Sequence, residues 1–182
     1  MPYLCAYEGQ IYYGMTIDGL LTNAKTLKRD MDSGRLARNV LMRHGDDIVE
    51  QQRVQLFMGK GSDGKDLHPF YSEDIKPKGW FLTKESARRY ADWKQTISYP
   101  YTVKRKPDVP NLYITGVFHD DLNVEFGSDS LAIVPDTAYA ANIMRKYGMN
   151  VFGLSMLSWG IIWNDNGAKD ELITKMRETI WQ

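Results

Sequence analysis

Three histidines, one cysteine and a few serine and aspartate clusters are the side chains in this chain with chemistry to offer. His119-Asp120-Asp121 is the one place where a ring nitrogen and two carboxylates are adjacent, the raw material of a metal site or an acid–base pair. On a strand, alternation would put His119 and Asp121 on one side and Asp120 on the other, which splits the set. His44 and His68 stand apart from it and from each other, so no two histidines have metal-pair spacing. Cys5 has no histidine near it in sequence to activate a thiolate. Ser155 and Ser158 lack the Gly-x-Ser-x-Gly turn that presents a nucleophilic serine. Asn164-Asp165-Asn166-Gly167 has oxygens for calcium but not the remaining ligands at loop spacing, and a helix cap accounts for it.

Two segments could hold phosphate or nucleic acid. Gly59, Gly64 and Lys65 fit a phosphate loop up to its last position, where Asp66 replaces the metal-binding hydroxyl and would repel phosphate. A helix rather than a strand precedes the segment, and Pro69 obstructs a helix after it, so a solvent-exposed turn is expected. Lys104-Arg105-Lys106 sits in an extended stretch marked by Pro100, Pro107 and Pro110. It is a candidate contact for DNA or an acidic partner, with a solvated loop as the simpler alternative. No catalytic constellation, cofactor site or metal set emerges, so the expectation is a protein that is not an enzyme.

Composition narrows the setting. The 182 residues suit about one domain, and 43% hydrophobic with 25% charged residues reads as globular. Lys+Arg 23 offsets Asp+Glu 23, so no global field steers the chain to nucleic acid or an acidic membrane. A single cysteine excludes an intramolecular disulfide and fits a reducing compartment, with synthesis in the cytoplasm. No apolar run approaches a membrane span, and the start lacks a basic-then-apolar leader, so no membrane association is expected. The 12% aromatic content beside zero net charge predicts a surface that associates if part of it is exposed.

The elements that must position these residues predict an α+β fold, with long N-terminal helices, a central antiparallel β-hairpin, and C-terminal helices packed on it. Residues 1–18 read as a Tyr/Gly-rich arm, and 19–182 as a single domain. Thr22 or Asn23 caps a helix through Met31, with Ala24, Leu27 and Met31 on one face. Arg35 to Met58 reads as a long amphipathic helix with Gly45 as its weak point, and Arg38, Arg43, Asp46, Asp47, Glu50 and Arg53 as its solvated face. Thr83 caps a helix from Lys84 to Gln95 with Ala87, Tyr90, Ala91 and Lys94 in a stripe. Leu122, Val124 and Phe126 alternate, Gly127-Ser128-Asp129 turns, and Leu131 and Ile133 alternate again, which predicts a hairpin. Thr137 caps a helix to Tyr147 that Gly148 ends, and Asp165 or Asn166 opens a last one to Trp181. Between these, Val151 to Trp163 is very apolar and must bury against this chain or another.

The order of short motifs is more specific than any one of them. A long helix ends in Asp63-Gly64-Lys65, followed by Pro69-x-Tyr71-Ser72 and a basic helix. Leu112-Tyr113-Ile114-Thr115-Gly116-Val117-Phe118 then leads into the hairpin, and Tyr139-Ala140-Ala141 precedes Tyr147-Gly148. Over Leu36 to Trp181 this resembles the phage virion-morphogenesis family, the tail-completion and head–tail joining proteins of tailed bacteriophages. It departs from the family at Val117-Phe118 and at Lys146-Tyr147, and the arm has no counterpart there. The resemblance implies a structural virion protein of the neck or upper tail, a subunit of a homo-oligomeric ring that meets portal, adaptor or other neck and tail proteins, with DNA passing its channel. On that reading Tyr3, Tyr7, Tyr12 and Tyr13 of the arm and Phe152, Trp159, Ile162 and Trp163 are the expected interface residues, and Lys104, Arg105 and Lys106 face DNA or an acidic adaptor. Two alternatives stay open. One is a small cytosolic phage enzyme or host-modifying factor with a site near His119, Asp120 and His68, and the other is a DNA-binding accessory protein.

Overall fold

The computed structural model describes residues 4–7 and 10–13 by their backbone and residues 16–97, 100–128 and 130–181 in full. In chain order the strands are β1 (Leu4–Tyr7), β2 (Gln10–Tyr13), β3 (Leu122–Phe126) and β4 (Leu131–Pro135). The helices are α1 (Ile17–Asp32), α2 (Arg35–Arg43), α3 (Gly45–Phe57), α4 (Lys84–Thr96), α5 (Val117–Asp120), α6 (Ala140–Tyr147), α7 (Met156–Gly160) and α8 (Ala168–Trp181). A 3₁₀ turn at Met149–Val151 precedes α7, and a π-helical turn at Ile161–Asp165 continues it. The fold is α+β. The span 19–182, expected as one domain, divides into two compact units, residues 1–44 with 167–182 and residues 45–166.

In the first unit α1, α2 and α8 pack on one another, and β1 pairs antiparallel with β2, Leu4 opposite Tyr13 and Tyr7 opposite Gln10. Helix α1 begins five residues before the expected cap. Thr16 caps it, its hydroxyl accepting from the Gly19 amide at 3.1 Å, while Thr22 donates its hydroxyl to the Asp18 carbonyl at 2.8 Å. A threonine satisfied by the carbonyl one turn back can stay inside a helix. The inward stripe is Asn23, Thr26, Leu27 and Asp30, whereas Ala24 and Met31 are exposed. Asn23 anchors that stripe by donating to the Ile180 carbonyl of α8 at 3.2 Å. The expected long helix breaks at Gly45 into α2 and α3. His44 at the break lies 3.1 Å from the Glu171 carboxylate, which Arg43 also binds.

In the second unit α3 is the spine. Its Ile48, Leu56 and Phe57 are buried, and so are two polar residues, Gln52 and Gln55. Gln52 donates to the Val151 carbonyl at 3.0 Å and accepts from the Gly153 amide at 2.9 Å. Gln55 donates to the Gly153 carbonyl at 2.9 Å and accepts from the Ser155 amide at 2.7 Å and the Ser158 hydroxyl at 2.9 Å. The two side chains act as a strand edge for residues 151–158, which have no ladder of their own. Arg53 is not solvated as expected, because its guanidinium donates to the carbonyls of His119 at 2.8 Å and Asp120 at 3.1 Å. Those carbonyls end α5, so residues 117–120 form a helical turn, not the strand considered above.

The hairpin forms as read, with Leu122 opposite Pro135 and Phe126 opposite Leu131, and β3 lies on α3. Helix α4 starts at the Thr83 cap, where Ser86 completes a capping box, and buries Ala87, Ala91 and Lys94. Helix α6 starts at Ala140 and ends at Gly148, whose φ of 83° suits a residue without Cβ.

Candidate functional site

The expected interface divides sharply. Ile162 is fully buried and belongs to the core of its own unit, which corrects its place on a surface. Phe152, Trp159 and Trp163 are half-buried. The segment instead exposes Met156 at 93% and Leu157 at 71%, with Met149 close before them at 72%. The Ser155 hydroxyl explains this, since it accepts from the Ser158 amide at 3.3 Å and so starts α7. From that start Ser158 and Ile162, four apart, face inward, and Met156 and Leu157 face out. Ser158 is small and polar, so hydropathy alone does not mark it as the inward position. Tyr3 lies outside the described residues, as do the side chains of Tyr7, Tyr12 and Tyr13.

The basic triplet is largely committed to its own unit. Arg105 donates to the carbonyls of Val109 at 2.9 Å and Lys94 at 3.5 Å, and Lys106 bonds the Asp66 carboxylate at 2.6 Å. Lys60 bonds the same carboxylate at 2.6 Å, and the two ammonium groups hold it below the usual carboxylate range. Lys104 is exposed. The loop around Gly59 is fixed by close approach, since a Cβ there would lie 2.4 Å from Val109 Cγ1 at a φ of 73°.

The structure does not bring the histidines together. His68 lies 3.2 Å from Glu73 and packs against Phe70 with ring centres 4.0 Å apart and tilted by 34°, while His119 is buried with Nε2 3.1 Å from the Asn111 carbonyl. Burial, with help from the charges of Lys94 and Arg53, pulls the His119 ring down to about 4. Its Nδ1 is buried without a hydrogen-bond partner, as is Nδ2 of Asn111. Among the described residues no three His, Cys, Asp or Glu side chains are grouped to hold a metal ion. No helix of the described residues is long and apolar enough to cross a membrane.

One concavity stands out, an aromatic pocket of about 620 Å³ inside the second unit. Its wall begins with Tyr71, Phe81 and Tyr90, whose rings meet edge-on or tilted at 5.1 to 6.2 Å. At its rim Trp80 is 69% and Tyr139 62% exposed. The Asp74 carboxylate, buried in the wall, accepts from the Trp80 amide at 3.1 Å and from the Lys146 ammonium. Lys146 Nζ lies 5.6 Å from the Trp80 ring centre and 5.4 Å from that of Tyr147. Gly79 permits this turn, because a Cβ there would sit 2.0 Å from the Asp74 carbonyl carbon.

Deeper in the wall, Lys94 donates to the Tyr113 carbonyl. Burial, and Arg105 beside it, pull its ammonium down to about 7. Burial pushes the Tyr71 and Tyr147 hydroxyls well above their ordinary range. Leu112 completes the wall with a φ of 55°, a left-handed conformation that a leucine holds only where its surroundings impose it. The α4 stripe of Ala87, Tyr90, Ala91 and Lys94 was readable from spacing. The partnership of Asp74 with Lys146, seventy-two residues apart in sequence, had no local signal.

The second unit thus carries an exposed apolar turn, Met156-Leu157, and an aromatic pocket lined by two lysines and one aspartate. In comparisons with protein-family models, curated proteins and solved structures, nothing matches the chain.

Proposed function

We propose that this chain is a structural virion protein of the phage neck or upper tail, a subunit of a ring that joins portal or head to tail. It acts as a scaffold and not as an enzyme, needs no cofactor, and works in the virion after synthesis in the host cytoplasm. The observation that carries the reading is the outward first turn of α7. Met156 and Leu157 present large apolar surface that water penalises at about 25 cal/mol per Å², and a neighbouring subunit is what would cover it. The order of motifs from Leu36 to Trp181 supplies the kind of neighbour, because it resembles that of head–tail joining proteins. A ring subunit needs two complementary side surfaces, and this unit has a protrusion and a concavity on different residues. The enzyme alternative has less support, since His119, its pivot, is sealed in the core.

The test is assembly. Sedimentation velocity and negative-stain microscopy at rising concentration should show closed rings, and binding to portal or tail subunits. Met156→Lys with Leu157→Lys should leave a folded single copy by circular dichroism. A strict monomer at high concentration that binds no portal or tail subunit overturns the reading.

A further inference from the structure

The second unit exposes apolar surface in two places of matching chemistry. Apart from Leu82 and Trp93, the large apolar side chains exposed among its described residues fall in two sets. Trp80, Ile114, Val117 and Tyr139 line the pocket, while Met149, Met156 and Leu157 belong to the stretch from Met149 to Trp163. That stretch carries no charged side chain, and none of its residues lines the pocket of its own copy. The charges in the pocket are in turn committed to the fold: Lys146 is bonded to Asp74, and Lys94 to the Tyr113 carbonyl. A charged occupant would give up its water there without gaining a partner, whereas an apolar one gains by leaving water. The volume of about 620 Å³ lies within the range of sites that enclose a drug-sized group.

We infer that the aromatic pocket between α4 and α6 receives the Met156-Leu157 turn of a second copy of this chain. The inference rests on the reading of the chain as a ring subunit and names the two surfaces that meet. Turn and pocket are different surfaces of one unit, so their contact is head-to-tail, the kind that closes into a ring where its rotation permits. Met156 suits this wall in particular. A thioether packs favourably against aromatic rings, and Tyr71, Phe81 and Tyr90 supply three of them side by side. Its unbranched side chain also adapts to an irregular cavity at small cost. A lysine in its place would bring an ammonium beside Lys94 and Lys146, with the one carboxylate, Asp74, already bonded.

The experiment uses three full-length chains: the unchanged one, a turn variant (Met156→Lys, Leu157→Lys) and a pocket variant (Trp80→Ala, Tyr139→Ala). All four substitutions fall on exposed side chains, and circular dichroism checks that both variants fold. In sedimentation each variant alone should associate at least about tenfold more weakly than the unchanged chain. An equimolar mixture of the two should form one-to-one pairs, the intact turn of one in the intact pocket of the other, that extend no further. Hydroxyl-radical footprinting of the unchanged chain should show Met156, Leu157, Trp80 and Tyr139 becoming protected over the same range of protein concentration. Protection of the turn without the rim overturns the inference, as does rim protection that is independent of protein concentration, the mark of another occupant. So does a mixture that fails to pair while both variants stay folded. Rings formed by the pocket variant alone also overturn it and leave the ring reading in place. Pairs that form as expected, from an unchanged chain that never closes into rings or binds portal, sink the ring reading and leave the turn in its pocket.

Discussion

At the scale of single residues, the buried imidazole of His119 ties stability to pH. The ring ordinarily titrates near 6.5 and is held near 4 in the fold. Between those values the unfolded chain binds a proton that the folded chain refuses. The contribution of this ring to stability is therefore intact above pH 6.5 and is lost as pH drops through the window, by up to about 3 kcal/mol. Lys94 and Arg53 push the ring in this direction and Asp120 opposes them, the net result being set by burial. The carboxylates held low by cations, Asp66 among them, lose their contribution only at still lower pH. Urea unfolding at pH 7, 6, 5 and 4 should show the decline, and His119→Gln should flatten it. An unchanged midpoint between pH 6.5 and pH 4.5 would contradict the burial argument.

At the scale of elements, the joint between α3 and residues 151–158 rests on two glutamine side chains. Gln55→Leu preserves apolar bulk but leaves the Ser155 amide, the Gly153 carbonyl and the Ser158 hydroxyl without that partner. Stranded buried polar groups cost about 1–3 kcal/mol each. A loss of about 3 kcal/mol or more is expected in chemical unfolding, with hydrogen exchange rising first in residues 153–158. The same joint shows where sequence was informative and where it was not. Thr83, Gly45 and the alternation from Leu122 to Ile133 act through neighbours a few residues away, so the cap, the break and the hairpin could be read directly. Gln52 and Gln55 are polar side chains that nothing in their own helix marks as core, and only the distant backbone of residues 151–155 holds them there. Thr22 looked like a cap because its hydroxyl competes for backbone partners, yet within α1 that competition is settled by the Asp18 carbonyl. The pocket was half legible: the α4 stripe follows helical period, whereas the Asp74–Lys146 pair and the left-handed Leu112 exist only once the chain has folded.

At the scale of the whole molecule, the ring proposed above would draw on zero net charge and exposed apolar side chains. With 23 cationic and 23 anionic side chains there is little long-range repulsion for salt to screen. Contacts built on Met156, Leu157 and the rim aromatics draw on apolar burial, which salt does not weaken and warming toward room temperature strengthens. Self-association should therefore change by less than about tenfold between roughly 50 and 500 mM sodium chloride, with a negative heat capacity of assembly in calorimetry. Binding led by DNA phosphates would behave oppositely, losing orders of magnitude in affinity between about 50 and 200 mM salt. Arg105 and Lys106 are already bound to Val109 and Asp66, which leaves few cations in that loop to produce such a slope. Assembly that collapses on raising salt would place the contact on charges rather than on α7 and the pocket rim, and would move the search for the interface to the loop around Lys104.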